Sequence, residues 1–172
     1  MANPTMTLIG SPIVVGSGGV SSVTFSSIPA TYTDLLVKVS TRSTDTSANF
    51  TAIGMQLNGN ESSASWKLLY GNGSGAYSGS NSGYADTGFS SSANTTTNTF
   101  ANMEIYLPNY TSSNYKSWSV DSTTENNATE AIASMRAGLW SNTAAITSIA
   151  LSSRAGNFVQ YSTFYLYGIS NS

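Results

Sequence analysis

Along most of this chain, hydrophobic residues recur at every second position. In TDLLVKVSTR, Leu35, Val37 and Val39 point one way and Lys38 and Ser40 the other; in FTAIGMQL, Ile53, Met55 and Leu57 share a face. In FANMEIYLP, Met103, Ile105 and Leu107 alternate with Asn102, Glu104 and Tyr106, and YKSWSVDS puts Lys116, Trp118 and Val120 on one side. A period of two is the signature of a strand with one face on a core and one toward water. TMTLI, PIVV, VSSVTFSSI, SWKLLY, AITSIALSS and NFVQYSTFYLYGIS also read as strands, and Gly10-Ser11, the GSGG at 16–19, Pro29 and Pro108 punctuate them. Asn58-Gly59-Asn60 is a hairpin-type turn signal. EAIASMRAGLW has helix-favouring Ala, Glu and Met. Its alternation of Ile132, Ser134 and Arg136 against Ala133, Met135 and Ala137, among strand neighbours, favours a strand.

About ten short strands at regular spacing predict an all-β fold, an antiparallel β-sandwich of jelly-roll type. The length fits one domain over residues 1–172, with residues 1–15 as an extended N-terminal arm. The polar stretch GNGSGAYSGSNSGYADTGFSSSANTTTNT is long for a compact domain; it is expected to hold one short strand near Tyr84 to Phe89 and to be a functional loop.

The closing YSTFYLYGIS breaks the one-sided rule. Tyr161, Thr163, Tyr165, Tyr167 and Ile169 face one way, and Phe164 and Leu166 face the other. A strand apolar on both sides needs two covers. The expectation is an interior strand with one face on the opposing sheet. Its tyrosine face, Tyr161, Tyr165 and Tyr167, would pack on a partner subunit, in a homo-oligomer taken as a trimer, or on the long polar loop.

Composition narrows the chemistry. Charged residues make up 8% of the chain, about a third of the usual share. The net charge is −2, and Lys38, Arg42, Lys67, Lys116, Arg136 and Arg154 are spread thinly, so no nucleic-acid partner is expected. There is no Cys and no His, which removes disulfides, thiol catalysis, zinc-thiolate sites and the commonest general base. No apolar run reaches membrane-spanning length, and MANPTMTLIG lacks the charge and apolar core of a signal peptide. Synthesis in a cytoplasm, without a membrane partner, is the expectation.

Catalytic motifs are weak. Ser113 stands three residues before Lys116, in no convincing nucleophile context. Asp121 and Glu125 are close in VDSTTENNATE and would be the carboxylate pair of a glycosidase, the oxygen ligands of a calcium ion, or a solvated acidic loop. GNGSG lacks the ending of a phosphate loop. No cofactor or metal is expected. Ten Tyr, six Phe and three Trp are the remaining feature. Trp140-Ser141-Asn142 and Asn109-Tyr110 loosely fit a sugar platform, an aromatic beside an amide; core or subunit packing is the competing reading.

Four segments taken together, GSGGVSSVTFSSIPATYTDLLVKVSTR, LPNYTSSNYKSWSVDSTTENNA, GLWSNTAAITSIAL and NFVQYSTFYLYGI, span nearly the whole chain. Their order resembles a family of small phage proteins seen mostly in phages of marine and freshwater bacteria, often cyanophages. The sharpest marks are the steps Ser27 to Leu35, Trp140 to Ile149 and Leu166 to Ile169. The resemblance implies a virion structural role and brings no catalytic motif. A Cys-free, low-charge chain suits a particle that persists outside cells. Two functional expectations follow. One is a non-enzymatic capsid decoration or cement protein on the major capsid protein lattice, using the N-terminal arm and loop tips. The other is a tail-fibre or receptor-binding module that holds host glycan through Trp140, Asn142, Asn109 and Tyr110.

Overall fold

The computed structural model describes residues 5–127 and 130–170. Thirteen strands and no helix make up the described chain. In order they are β1 (Met6–Leu8), β2 (Ile13–Val14), β3 (Ser22–Phe25), β4 (Asp34–Thr41), β5 (Phe50–Leu57), β6 (Ala64–Gly71), β7 (Ala76–Ser82), β8 (Ala85–Ser91), β9 (Ala101–Leu107), β10 (Lys116–Thr124), β11 (Ile132–Trp140), β12 (Ile149–Ser153) and β13 (Thr163–Ile169).

The larger sheet has nine strands in the order β1-β13-β4-β9-β10-β11-β6-β7, with β2 also on β13; the smaller has four, β3-β12-β5-β8. Antiparallel pairs nest along the chain, β1 with β13, β3 with β12, β4 with β9 and β5 with β8. Alternate nested pairs fall in opposite sheets, which is the rolled arrangement of a jelly roll. The hairpins β6–β7 and β10–β11 are insertions that widen one sheet only.

The expected strands form, thirteen in place of about ten, and the one that no named stretch announced is β7, which comes out of the polar stretch as a strand of its own. Alternation alone did not find it, since AYSGSNS has no buried residue. EAIASMRAGLW is indeed strand, β11, with Ile132, Ser134 and Arg136 inward. The Asn58-Gly59 turn forms with both residues at positive φ, yet it is no hairpin: β5 and β6 lie in different sheets.

Inward side chains meet between the sheets. Leu35, Val37, Ile105, Leu107, Ile149, Leu151, Phe164 and Leu166 are almost fully buried. The segment expected to reach out as an arm is largely used at home: Met6–Leu8 pair with Tyr167–Ile169, Ile13 and Val14 pair with Phe164 and Thr163, and Val15 is buried. Residues 1–4 of that arm lie outside the described residues.

β13 is an interior strand, flanked by β1 and β2 on one side and β4 on the other. Phe164, Leu166 and Gly168 face the core, and Thr163, Tyr165, Tyr167 and Ile169 form a half-exposed outer row. The long polar stretch does not cover that row, because it builds β7 and β8, and β7 is at the opposite end of the larger sheet. Gly168 has a packing reason. A Cβ there would lie 2.2 Å from the Tyr32 ring, which rests on the bare backbone. We expect Gly168→Ala to cost about 1–3 kcal/mol through overpacking, read from the shift of a urea denaturation midpoint at unchanged slope.

Candidate functional site

The cross-strand registers place the outward residues of the larger sheet in rows. One row runs Tyr165, Lys38, Glu104, Asp121, Met135, Leu69, Ser78 across β13, β4, β9, β10, β11, β6 and β7. The next runs Leu8, Tyr167, Leu36, Tyr106, Ser119, Ala137, Lys67, Ser80. This outer face is the candidate site. One end carries Leu8, Leu36, Tyr106, Tyr165 and Tyr167; the other carries Met135 and Leu69, each 64% exposed. Small and hydroxylic side chains, with the charged Lys38, Glu104, Asp121 and Lys67, fill the rest. The smaller sheet turns Ser22, Thr24, Ala150, Ser152 and Gln56 outward, a far less apolar set.

The tyrosine end is held in place. The Tyr165 and Tyr167 rings stack 6.4 Å apart at 15°. Lys38 Nζ lies 2.8 Å from Glu104 Oε1, and this bond, with the opposite charge, raises the Lys38 pKa. Tyr106 donates its hydroxyl proton to Asp34 Oδ2 at 2.7 Å, which raises the tyrosine's pKa, and Asp34 Oδ1 accepts from Asn109 N at 2.8 Å. A depression of about 330 Å³ lies between Lys38, Ser40, Asn102, Glu104, Thr163, Tyr165 and Tyr167. A second, of about 350 Å³, adjoins it at Asp121 and Thr123.

Sequence-predicted residues separate here. Tyr165 and Tyr167 share the outer face, but Tyr161 does not join them. It sits before β13 at φ 71°, 68% exposed, beside a different depression lined by Asn98 and Phe100. The positive φ breaks the alternation that put all three on one side. The glycan set is corrected more strongly. Trp140 and Tyr110 are core residues, 1% and 0% exposed, and Tyr110 donates its hydroxyl to Pro29 O. Buried rings offer no face for a sugar to stack on. Asn142 closes a local turn by accepting from Ala144 N, and Asn109, at φ 49°, turns the chain after β9. Each aromatic-amide pair is therefore split between core and turn.

The carboxylates give no assembled catalytic pair at the predicted place. Asp121 lies on β10 and Glu125 just past its end, and among the described residues no hydrogen bond or shared partner joins the two carboxylates: Glu125 accepts from Asn127 N at 2.7 Å. Asp121 instead stands opposite Glu104, whose charge Lys38 engages. Ser113 is exposed, whereas Lys116 is buried and donates to Asn114 O at 2.5 Å; burial lowers its pKa. No three acidic side chains gather as a cation site among the described residues; Ala128 and Thr129 of the proposed calcium stretch lie outside them.

Two buried arginines went unrecognised in the sequence. Among the described residues Arg42 has no acidic partner; it donates to Thr95 O and Oγ1, Thr96 O and Thr99 O and Oγ1 at 2.9–3.1 Å, which fastens the loop before β9. Arg136 lies between the Trp66 and Phe89 rings, 4.7 and 4.8 Å from their centroids, with Asp86 Oδ2 4.0 Å away. Asp86 also accepts from Arg154 Nε at 2.8 Å, and Arg154 reaches Glu61 at 2.6 Å. Arg136 was legible in part, since the alternation that turns Ile132 inward turns it inward too.

The chain matches no known protein family model and no characterised protein sequence.

Asp86→Ala strips a buried guanidinium of its counter-charge and is expected to cost about 3 kcal/mol, whereas Arg136→Met leaves Asp86 paired with Arg154 and an apolar side chain between the Trp66 and Phe89 rings, and costs under about 1 kcal/mol; urea unfolding of both variants reads the contrast. Asp45 accepts from Ser47 Oγ at 2.6 Å, Thr51 Oγ1 at 2.5 Å and Ser47 N at 2.8 Å, and these bonds lower its pKa. Its contribution to stability is thus full above the unfolded value of about 4 and is lost as pH falls through the lower folded value. Asp45→Asn should flatten the acid limb of the stability curve below about pH 4, as followed by thermal unfolding across pH.

Proposed function

We propose that the chain is a non-enzymatic virion structural protein of the phage class its sequence resembles. It acts as a capsid decoration or cement protein that docks on the major capsid protein lattice through the outer face of its larger sheet. One observation carries this reading: the tyrosine end of that face, Tyr165, Tyr167, Leu36, Tyr106 and Leu8, is rigidly built, apolar in large part and uncovered by any described element. Tyrosine and methionine are enriched at interface centres, and the charges nearest this end are engaged, Lys38 with Glu104 and Asp34 with Tyr106. A lattice multiplies modest contacts, because each neighbouring copy raises the effective concentration of the next. The N-terminal segment takes a smaller part than its sequence implied, since β1 and β2 are already paired to β13.

A second reading, a tail-fibre or receptor-binding module for host glycan, is favoured by the depression beside Tyr165 and Tyr167, where stacked rings stand next to Asn102, Lys38 and Glu104. Stacking on tyrosine with amide and charged partners alongside is sugar-binding chemistry. It would use these residues in place of Trp140 and Tyr110.

Gold-labelled antibody against the chain, applied to intact particles of the source phage, separates the two. Label over the head is the expected result; label confined to the tail tip supports the glycan module, and unlabelled particles remove both. Purified Tyr165→Ala/Tyr167→Ala protein, with an unchanged circular dichroism spectrum, should bind particles lacking the chain at least about tenfold more weakly than wild type, as hot-spot aromatics do.

A further inference from the structure

A jelly roll leaves four sheet edges, and an open edge offers unpaired N–H and C=O groups to another chain. Among the described residues, three of the four are blunted. β1 and β2 form a short edge interrupted by Gly10, Ser11 and Pro12. β3 has four residues. β8 is buried throughout, and Ser43 N donates to Ser91 O at its end. The fourth edge, β7, has seven residues, every one exposed, with neither charge nor proline. None of the usual guards against strand addition is present there.

The hydrogen-bond phase of β7 shows which groups are open. Asn72 N donates to Gly75 O at one end of the hairpin and Gly83 N to Ala64 O at the other. These bonds put the odd-numbered residues in the hydrogen-bonded pairs with β6. Ala76, Ser78, Ser80 and Ser82 therefore point their N–H and C=O groups away from the sheet; of these, only Ser82 N has a partner among the described residues, Asn81 Oδ1 at 2.8 Å.

We infer that β7 is an intermolecular edge whose occupant is β7 of a second copy, joined antiparallel about a twofold axis through Gly79. In that register Ser78 faces Ser80 of the copy and Ala76 faces Ser82, so the open groups pair in about six hydrogen bonds, the Ser82 amides staying with Asn81. Tyr77 faces Asn81, and no like charges meet. Self-complementarity without charge is what distinguishes a second copy from a charged or sequence-specific partner. The axis is perpendicular to the sheet, so both outer faces look the same way, with their tyrosine ends at the far ends of one continuous sheet. The symmetry is twofold, in place of the trimer expected from the sequence. The inference stands independently of the proposed function.

Sedimentation velocity of the full chain over nanomolar to high-micromolar concentration tests it. Wild type should show a concentration-dependent dimer. Ser78→Pro removes an outward N–H that β6 does not use, so it should keep the fold and weaken the dimer at least about tenfold. S78K with S80K places like charges opposite each other and should do the same if the proline variant fails to fold. In concentrated wild type the Ser78 and Ser80 amides should exchange hydrogen slowly, and in the variants or on dilution quickly. A wild type monomeric at every concentration overturns the inference. So does a dimer that persists in folded variants, or one whose Ser78 and Ser80 amides exchange freely.

Discussion

Leu35, Val37 and Leu107 from one sheet and Ile149, Leu151 and Met55 from the other meet in a contact almost closed to water. That hydrophobic contact is what holds the two sheets together, and it works only while each strand keeps its period of two. It also sets a limit. A four-stranded sheet covers a nine-stranded one on the inner face alone. Everything that the larger sheet turns outward must be soluble, or be covered by another molecule. Beyond the reach of the main core, the inserted strands are secured differently, by a small cluster of Leu68, Phe89 and Ile132 and by Arg136 clamped between two rings.

The outer face is then the surface that core packing does not constrain, and its composition is uneven. Serine, threonine and alanine keep most of it thin. Tyrosine and leucine collect at one end, methionine and leucine at the other. Because these side chains project from hydrogen-bonded strands in the middle of a sheet, their spacing is fixed by the ladder. A face of this kind binds by shape and area, with little ordering cost. Lys38 with Glu104 and Tyr106 with Asp34 hold the charged groups and the tyrosine hydroxyl in defined places, so the few polar anchors are oriented in advance.

Much of the fold was readable from the chain. The alternation in β4, β5, β9 and β10 gave the inward residues correctly, and β11 was distinguished from a helix by the same rule. β7 escaped because a strand exposed on both faces has no hydrophobic period to detect. The candidate site was only half legible. Tyr165 and Tyr167 were found from the two-sided apolar strand, whereas Tyr161 was misplaced by a single positive-φ residue that composition does not announce. Trp140 and Tyr110 beside Asn142 and Asn109 looked like sugar platforms because adjacency in sequence was taken for adjacency in space; in a strand ending in a turn, neighbours point to opposite environments. Glu104 opposite Asp121, and the rows that join seven strands into one face, are properties of register, which no local stretch contains.

In the proposed decoration role, the tyrosine end of the larger sheet's outer face is buried against a repeating partner. A reconstruction of the source particle by electron cryomicroscopy, at a resolution that places side chains, tests it directly. Tyr165, Tyr167 and Tyr106 should lie in contact with the major capsid protein, with the smaller sheet turned to solvent. Density for this chain with the tyrosine end open to solvent and the smaller sheet against the shell would contradict it.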